Sequence, residues 1–258
     1  MSQIRTFFAA LRFFTRVPLP AQLGEWVGHS AEQLARAPCY LPLVGMVVGA
    51  IGAAVTETAA LLLPPSVAIV LGMVATVWVT GAIHEDGLAD SADGFGGGWD
   101  KVQVLAIMKD SRIGSYGVLA LVMALLLKFV LLLEIDGVAP PLGLAWVMIA
   151  AHAASRFAPV ALMYVLAYVR DDEASKSRPL TGGFDRGGVG FAVLGALLPL
   201  LLLPVDVAAA ALLAVLLTTW GCSNYFKRRI GGYTGDCLGA AQQCAELAFY
   251  LGVLCVYF

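Results

Sequence analysis

The stretch PPSVAIVLGMVATVWVTGAI, residues 64–83, runs directly into HEDGLADSADGFGGGWD, residues 84–100. The first is almost entirely hydrocarbon; the second carries five carboxylates, Glu85, Asp86, Asp90, Asp93 and Asp100. About 20 apolar residues cross a hydrocarbon core of about 30 Å, because a helix rises about 1.5 Å per residue. Residues 66–83 therefore read as a membrane span, with the acidic run at its polar end. The rest of the chain agrees. Of 258 residues, 60% are hydrophobic and 13% charged, with a mean hydropathy of +0.83, whereas about 25% of residues in soluble domains are charged. The composition excludes a soluble domain. The start, MSQIRTFFAALRFFTRVPLP, has neither an uninterrupted apolar core nor a cleavage site, so no removable signal is expected. Cys39, Cys222, Cys237, Cys244 and Cys255 form no C-x-x-C pair and read as small apolar residues rather than a disulfide or zinc framework.

Seven candidate spans follow, at approximately 38–63, 66–83, 113–134, 142–169, 187–203, 206–223 and 238–258. The expected fold is an all-α integral membrane protein: one polytopic domain, residues 1–258, of about seven transmembrane helices with active-site loops in the cytoplasm. Pro64 and Pro65 separate the first two spans and Pro204 the fifth and sixth, so each pair reads as a tight helical hairpin. The cations test this threading, since Lys and Arg in short loops stay on the cytoplasmic side. Lys128 and Arg156 fall within spans; the other 14 of 16 Lys and Arg residues all fall on one side of the threading. That alternation places the amino terminus in the cytoplasm and the carboxyl terminus outside. Residues 1–37 are then cytoplasmic, and Arg5, Arg12 and Arg16 among Phe7, Phe8, Leu11, Phe13 and Phe14 suggest a short helix lying in the membrane interface.

If the second span continues as a helix past Ile83, Asp86, Asp90 and Asp93 stand at i, i+4 and i+7 on one face. Three carboxylates there repel one another unless a cation joins them. Mg²⁺ suits an oxygen-only set that leaves positions for water and substrate phosphates, and the lack of paired His or Cys argues against zinc. Glu85 and His84 point off this face. Gly87, between two of the aspartates, would let a bulky substrate approach the backbone, and Gly94, Gly96, Gly97 and Gly98 would end the helix in a flexible loop. Three further segments read as parts of the same site. KDSRIGSYG, residues 109–117, offers Lys109, Asp110 and Arg112 beside the free N–H groups of a helix start, which favour phosphate. SKSRPLTGGFDRGG, residues 175–188, offers Lys176 and Arg178; GGYTGDCLGA, residues 231–240, offers Thr234 and Asp236, with Gln242, Gln243 and Glu246 following. Asp236 reads as a further metal ligand or general base. Arg156, inside the fourth span with His152 one turn earlier, either pairs with a buried acid or reaches a substrate phosphate. Glu57 and Lys128 read as snorkelling residues without a site role.

These blocks resemble the cobalamin synthase family, the adenosylcobinamide-GDP ribazoletransferases of vitamin B12 assembly. FFTRVPLP, residues 13–20, is similar to the family's amino-terminal signature, HEDGLADSADGFGGG to its H-x-D-G-L-A-D-x-x-D-G block, and KDSRIGSYG and GGYTGDCLGA to later blocks in the same order. The resemblance implies an inner-membrane enzyme that joins adenosylcobinamide-GDP to α-ribazole or its 5′-phosphate and releases GMP, with Mg²⁺ as the metal. On that basis Asp86, Asp90 and Asp93 would hold Mg²⁺ on the pyrophosphate. Lys109, Arg112, Arg156, Lys176 or Arg178 would offset charge on GMP, and Asp93 or Asp236 would accept the hydroxyl proton. Nucleic acid is not an expected partner; a homo-oligomer, or association with other corrinoid-assembly enzymes, is left open. Two other readings compete: a CDP-alcohol phosphotransferase making phospholipid, and a secondary transporter. Asp90 stands where the first family has arginine, and the acids lie mostly outside the spans that a transporter would use.

Overall fold

The computed structural model describes residues 3–28, 30–140, 143–170 and 186–258. It is an all-α, polytopic membrane protein. Three short helices, α1 (Gln3–Phe14), α2 (Ala21–Val27) and α3 (Ala31–Arg36), precede a bundle of α4 (Leu41–Ala60), α5 (Pro65–Thr80), α6 (Ile83–Gly97), α7 (Lys101–Lys109), α8 (Ser115–Val138), α9 (Gly143–Ser155), α10 (Phe157–Val165), α11 (Arg186–Leu197), α12 (Val205–Ile230) and α13 (Gly235–Tyr257). Among the described residues, five helical runs are long and apolar enough to cross a bilayer, and a sixth if the bent pair α5–α6 is taken as one. The remaining expected span, 187–203, is a shorter apolar helix, Gly187–Leu202, whose last turn tightens around Pro199.

Lipid-facing and core-facing surfaces divide as the hydrocarbon requires. α8 and α12 expose Leu119, Val122, Met123 and Leu126, and Leu213, Leu216, Leu217 and Trp220. α9 and α13 lie inside. Between helices in lipid, association depends on close packing more than on the hydrophobic effect. α4 and α9 meet along Gly45, Gly49 and Gly52: a Cβ at Gly49 would stand 2.8 Å from Ile149 Cα, and one at Gly45 2.8 Å from Arg156 Cδ.

The second span does not continue past Ile83. Gly81 (φ 67°) and Ala82 (φ 59°) are both left-handed, and α6 leaves α5 at 86°. An alanine there costs roughly 1–2 kcal/mol, so the bend is held by its surroundings. The backbone N–H of Arg16 donates to Val79 O at 2.6 Å, and the Arg16 guanidinium lies over Gly81, where a Cβ would come within 2.5 Å of Nε. The amino-terminal segment thus buttresses the turn that aims α6. That helix runs to Gly97, and Gly94, Gly96 and Gly97 lie inside it rather than forming a flexible closing loop. A Cβ at Gly94 would meet Met108, and one at Gly96 the Tyr116 ring. At the far end Arg229 donates to Phe95 O (3.2 Å) and Gly98 O (2.8 Å), supplying a cation where the helix carries its negative dipole.

Candidate active site at the junction of α6 and α13

α6 is wedged between α8 and α13, and each contact uses one part of the acidic motif. Toward α13 the helices touch at glycines. A Cβ on Gly87 would lie 2.8 Å from Asp236 O and 3.1 Å from Gly239 Cα, and one on Gly239 would lie 3.1 Å from His84 O. Gly87 therefore makes room for a helix, not for a substrate, which corrects the sequence-based expectation. Gly87→Ala is expected to destabilise the protein by about 1–3 kcal/mol through overpacking and to lower turnover by pushing Asp236 away from α6. Thermal unfolding in detergent beside a turnover assay checks both; an unchanged melting temperature would contradict the contact.

That contact sets Asp236, in the first turn of α13, beside Asp86 and Asp90. Asp86 is exposed and Asp90 half-buried. Burial, then the charges of Asp236 and Asp86, push the Asp90 carboxyl up to about 6, against a smaller opposing pull from Arg170. Arg170 Nη2 donates to Asp236 Oδ2 at 2.8 Å. The alignment comes from a one-rung parallel bridge, Tyr168 with Tyr233, in which Tyr233 N–H donates to Ala167 O (2.9 Å) and Val169 N–H to Tyr233 O (3.1 Å). Thr234, fully buried, is the N-cap of α13, its hydroxyl accepting from Cys237 N–H at 3.3 Å. It lies buried behind Asp236, its hydroxyl 3.4 Å from Asp236 Oδ2.

Asp93 is turned toward α8. Its Oδ2 accepts from Gly114 N–H (2.6 Å) and its Oδ1 from Gly117 N–H (2.9 Å), so a buried carboxylate satisfies the N–H groups that open α8. This explains the glycines of KDSRIGSYG, since a Cβ at either position would run into the Asp93 carboxylate. It also corrects the expectation that these N–H groups are available to phosphate. Asp93→Ala should cost about 0.5–2 kcal/mol, the range for losing a helix cap; a wild-type unfolding midpoint would argue against the capping role. Lys109 and Arg112 stand exposed on the segment that Asp93 anchors, and Arg112 forms an exposed ion pair with Asp110 (2.6 Å). The Arg112 guanidinium holds the Asp110 carboxyl down to about 2. Lys176 and Arg178 lie outside the described residues.

Arg156 does not open to the cytoplasm: it is 2% exposed, at the break between α9 and α10, with Nη1 on His152 O (2.9 Å) and Nδ1 (3.0 Å). Its surroundings are a buried charged cluster. Lys128 Nζ meets Glu246 Oε1 at 2.5 Å, both side chains almost fully enclosed, and His152 Nδ1 lies 3.5 Å from Glu246 Oε2. Lys128 is thus a core ion-pair partner, not a snorkelling residue. From Glu246 the bonds run outward: Gln242 Nε2 donates to Glu246 Oε2 (2.7 Å) and is 3.0 Å from the Ser155 hydroxyl. Gln243 Nε2 donates to Gln242 Oε1 (3.0 Å) and to Glu85 Oε1 (3.1 Å). Glu85, set aside in the sequence, is therefore the link from α6 to the buried cluster.

Among the described residues, no three His, Cys, Asp or Glu side chains stand close enough to hold a metal ion by themselves. With Asp93 committed to α8, the carboxylates that could hold a cation are Asp86 and Asp90, with Asp236 beside them. That set fits Mg²⁺, which is commonly held by one or two carboxylates with the remaining positions filled by water and phosphate oxygens. It does not fit a closed protein cage.

A membrane-embedded helical bundle that presents crowded aspartates and a neighbouring arginine at one end carries the residue types that metal-assisted chemistry at a phosphate uses. The comparisons narrow this. Residues 6–254 match the family described as cobalamin-5-phosphate synthase. A protein of Shewanella frigidimarina named adenosylcobinamide-GDP ribazoletransferase is 44% identical over 256 residues, covering 99% of this chain and 96% of that protein. Proteins of the same name from Leptothrix cholodnii and Shewanella woodyi are both 46% identical, over 260 and 252 residues, each covering 98% of this chain and 96% of the relative. The chain belongs to the cobalamin-5-phosphate synthase family. No solved structure matches it. The family match does not favour the CDP-alcohol phosphotransferase or transporter readings.

Proposed function

We propose that this protein joins adenosylcobinamide-GDP to α-ribazole or its 5′-phosphate, releasing GMP, in the bacterial inner membrane with its amino terminus in the cytoplasm. The observation that carries the reading is the convergence of Asp86, Asp90 and Asp236 beside Arg170 in a chain whose near-full-length relatives bear the name of that transferase. In this reading the ribose hydroxyl of the acceptor attacks the phosphorus on the cobinamide arm, the pyrophosphate bond breaks, and GMP leaves with the electron pair. Mg²⁺, when bound, offsets the charge that develops on the pyrophosphate. Asp86 and Asp90 would hold it. Asp236 accepts the hydroxyl proton, and Arg170 fixes the Asp236 carboxylate and brings positive charge to the same place. Asp93 acts indirectly, by fixing the segment that carries Lys109 and Arg112 against α6.

The test is direct. Purified protein in detergent, given adenosylcobinamide-GDP, α-ribazole 5′-phosphate and Mg²⁺, should yield GMP and a cobalamin product by mass spectrometry. Chelation with EDTA should stop product formation and added Mg²⁺ restore it. Absence of GMP with metal present would overturn the transfer reading; undiminished turnover in EDTA would remove the metal.

A further inference from the structure

A cavity of about 660 Å³ lies between the end of α1, the segment that follows it, and α2. Arg12, Thr15, Arg16, Pro18, Gly24 and Glu25 are among its lining. Its size is within the ~300–1,000 Å³ of small-molecule sites, and its walls are fixed. Thr15 Oγ1 donates to Leu11 O (2.6 Å) and accepts from Val17 N–H (3.3 Å). Arg16 N–H is tied to Val79 O. α2 is clamped to α1 by Arg5, which donates to Trp26 O at 2.7 Å through Nε and lies 5.0 Å from the Trp26 ring centroid. Arg5 is thus used structurally. Arg12 and Arg16 have no carboxylate partner among the described residues, although Glu25 lines the same cavity. Two exposed arginines lining one cavity, neither in an ion pair with the Glu25 that lines it too, suit a doubly charged phosphomonoester, which arginine binds through paired N–H donors. Glu25 adds an acceptor for the hydroxyl groups that a sugar phosphate carries. Arg16 also rests on Gly81, at the bend that aims α6. A ligand gripping Arg16 therefore sits next to the turn leading into Asp86.

We propose that this cavity binds the phosphate of a nucleoside monophosphate, and so selects the 5′-phosphorylated acceptor over the unphosphorylated nucleoside. The proposal rests on the transfer reading for the identity of the acceptor, but its test does not need turnover. The full chain is placed in phosphatidylcholine nanodiscs and titrated calorimetrically with α-ribazole 5′-phosphate and with α-ribazole. The phosphorylated form should bind at least about ten-fold tighter, the scale of one charge-assisted hydrogen bond. Arg12→Gln should remove most of that preference and leave binding of α-ribazole unchanged, while Arg12→Lys should restore part of it; Arg16→Gln, which also loosens the turn into α6, should weaken both ligands and the phosphorylated one more. Should the Arg16→Gln protein not fold, the Arg12→Gln change, at an exposed side chain, still decides the matter. No preference in the unsubstituted protein, or a preference that survives Arg12→Gln, would overturn the proposal. A second arm uses nanodiscs containing phosphatidylglycerol. If the Gln changes abolish stabilisation by that lipid while the nucleotide preference persists, the cavity takes a lipid headgroup and the proposal fails. Loss of GMP release with nucleotide binding intact would instead count against the transfer reading alone.

Discussion

Lys128→Met is expected to cost about 3–5 kcal/mol of stability, the range for removing one member of a buried ion pair. The pair is short (2.5 Å) and its side chains are 4% and 1% exposed, so the Glu246 carboxylate left behind could not recover its lost partner from water. Glu246→Leu should do comparable harm by stranding Lys128. Combining Lys128→Met with Glu246→Leu removes both charges of the pair but leaves the buried Arg156 without the Glu246 carboxylate beside it, so only part of the loss should be regained. Denaturant or thermal unfolding of the three variants in detergent measures this. The harm should also reach the site, since Gln242 and Gln243 connect Glu246 to Glu85 at the start of α6. A single Lys128 substitution with an effect below about 1 kcal/mol would show that the cluster is not closed to water.

That ion pair marks where sequence reading stopped. The apolar periods, the proline hairpins and the acidic block were legible, and so was helix position: α6 carries all three aspartates at helical spacing. Partner choice was not. Asp93 shares a wheel face with Asp86 and Asp90, yet a helix wedged between two others serves both, and Asp93 caps α8 while the first two face Asp236. The bend at Gly81–Ala82 was hidden because Ala82 is not a residue that advertises a left-handed backbone. Arg170 looked like any cytoplasmic anchor until the Tyr168–Tyr233 bridge placed it on Asp236. Lys128 and Glu246 did carry a signal. They stand 13 residues into α8 and 11 into α13, at matching depths of roughly 20 and 17 Å if both helices start on one side. Opposite charges at equal depth in two apolar helices read as a pair.

The second large effect concerns the aspartates themselves. Asp86→Asn and Asp90→Asn keep volume and helical position but remove the negative charge on which the cation and the pyrophosphate depend. Each should lower turnover by about a thousand-fold, the upper end of what a single electrostatic contact to a reacting group provides. Stability should not fall, because repulsion among Asp86, Asp90 and Asp236 is relieved; a small rise in unfolding temperature is expected. Asp100, which caps α7 through Gln103 N–H at 2.9 Å, serves as the acidic control from the same motif: Asp100→Asn should retain turnover. The most direct measurement is kcat for GMP release from adenosylcobinamide-GDP, taken on folded, membrane-inserted Asp86→Asn, Asp90→Asn and Asp100→Asn proteins at saturating Mg²⁺. The account expects near-complete loss in the first two and near-native turnover in the third; native kcat in both Asp86→Asn and Asp90→Asn would contradict it.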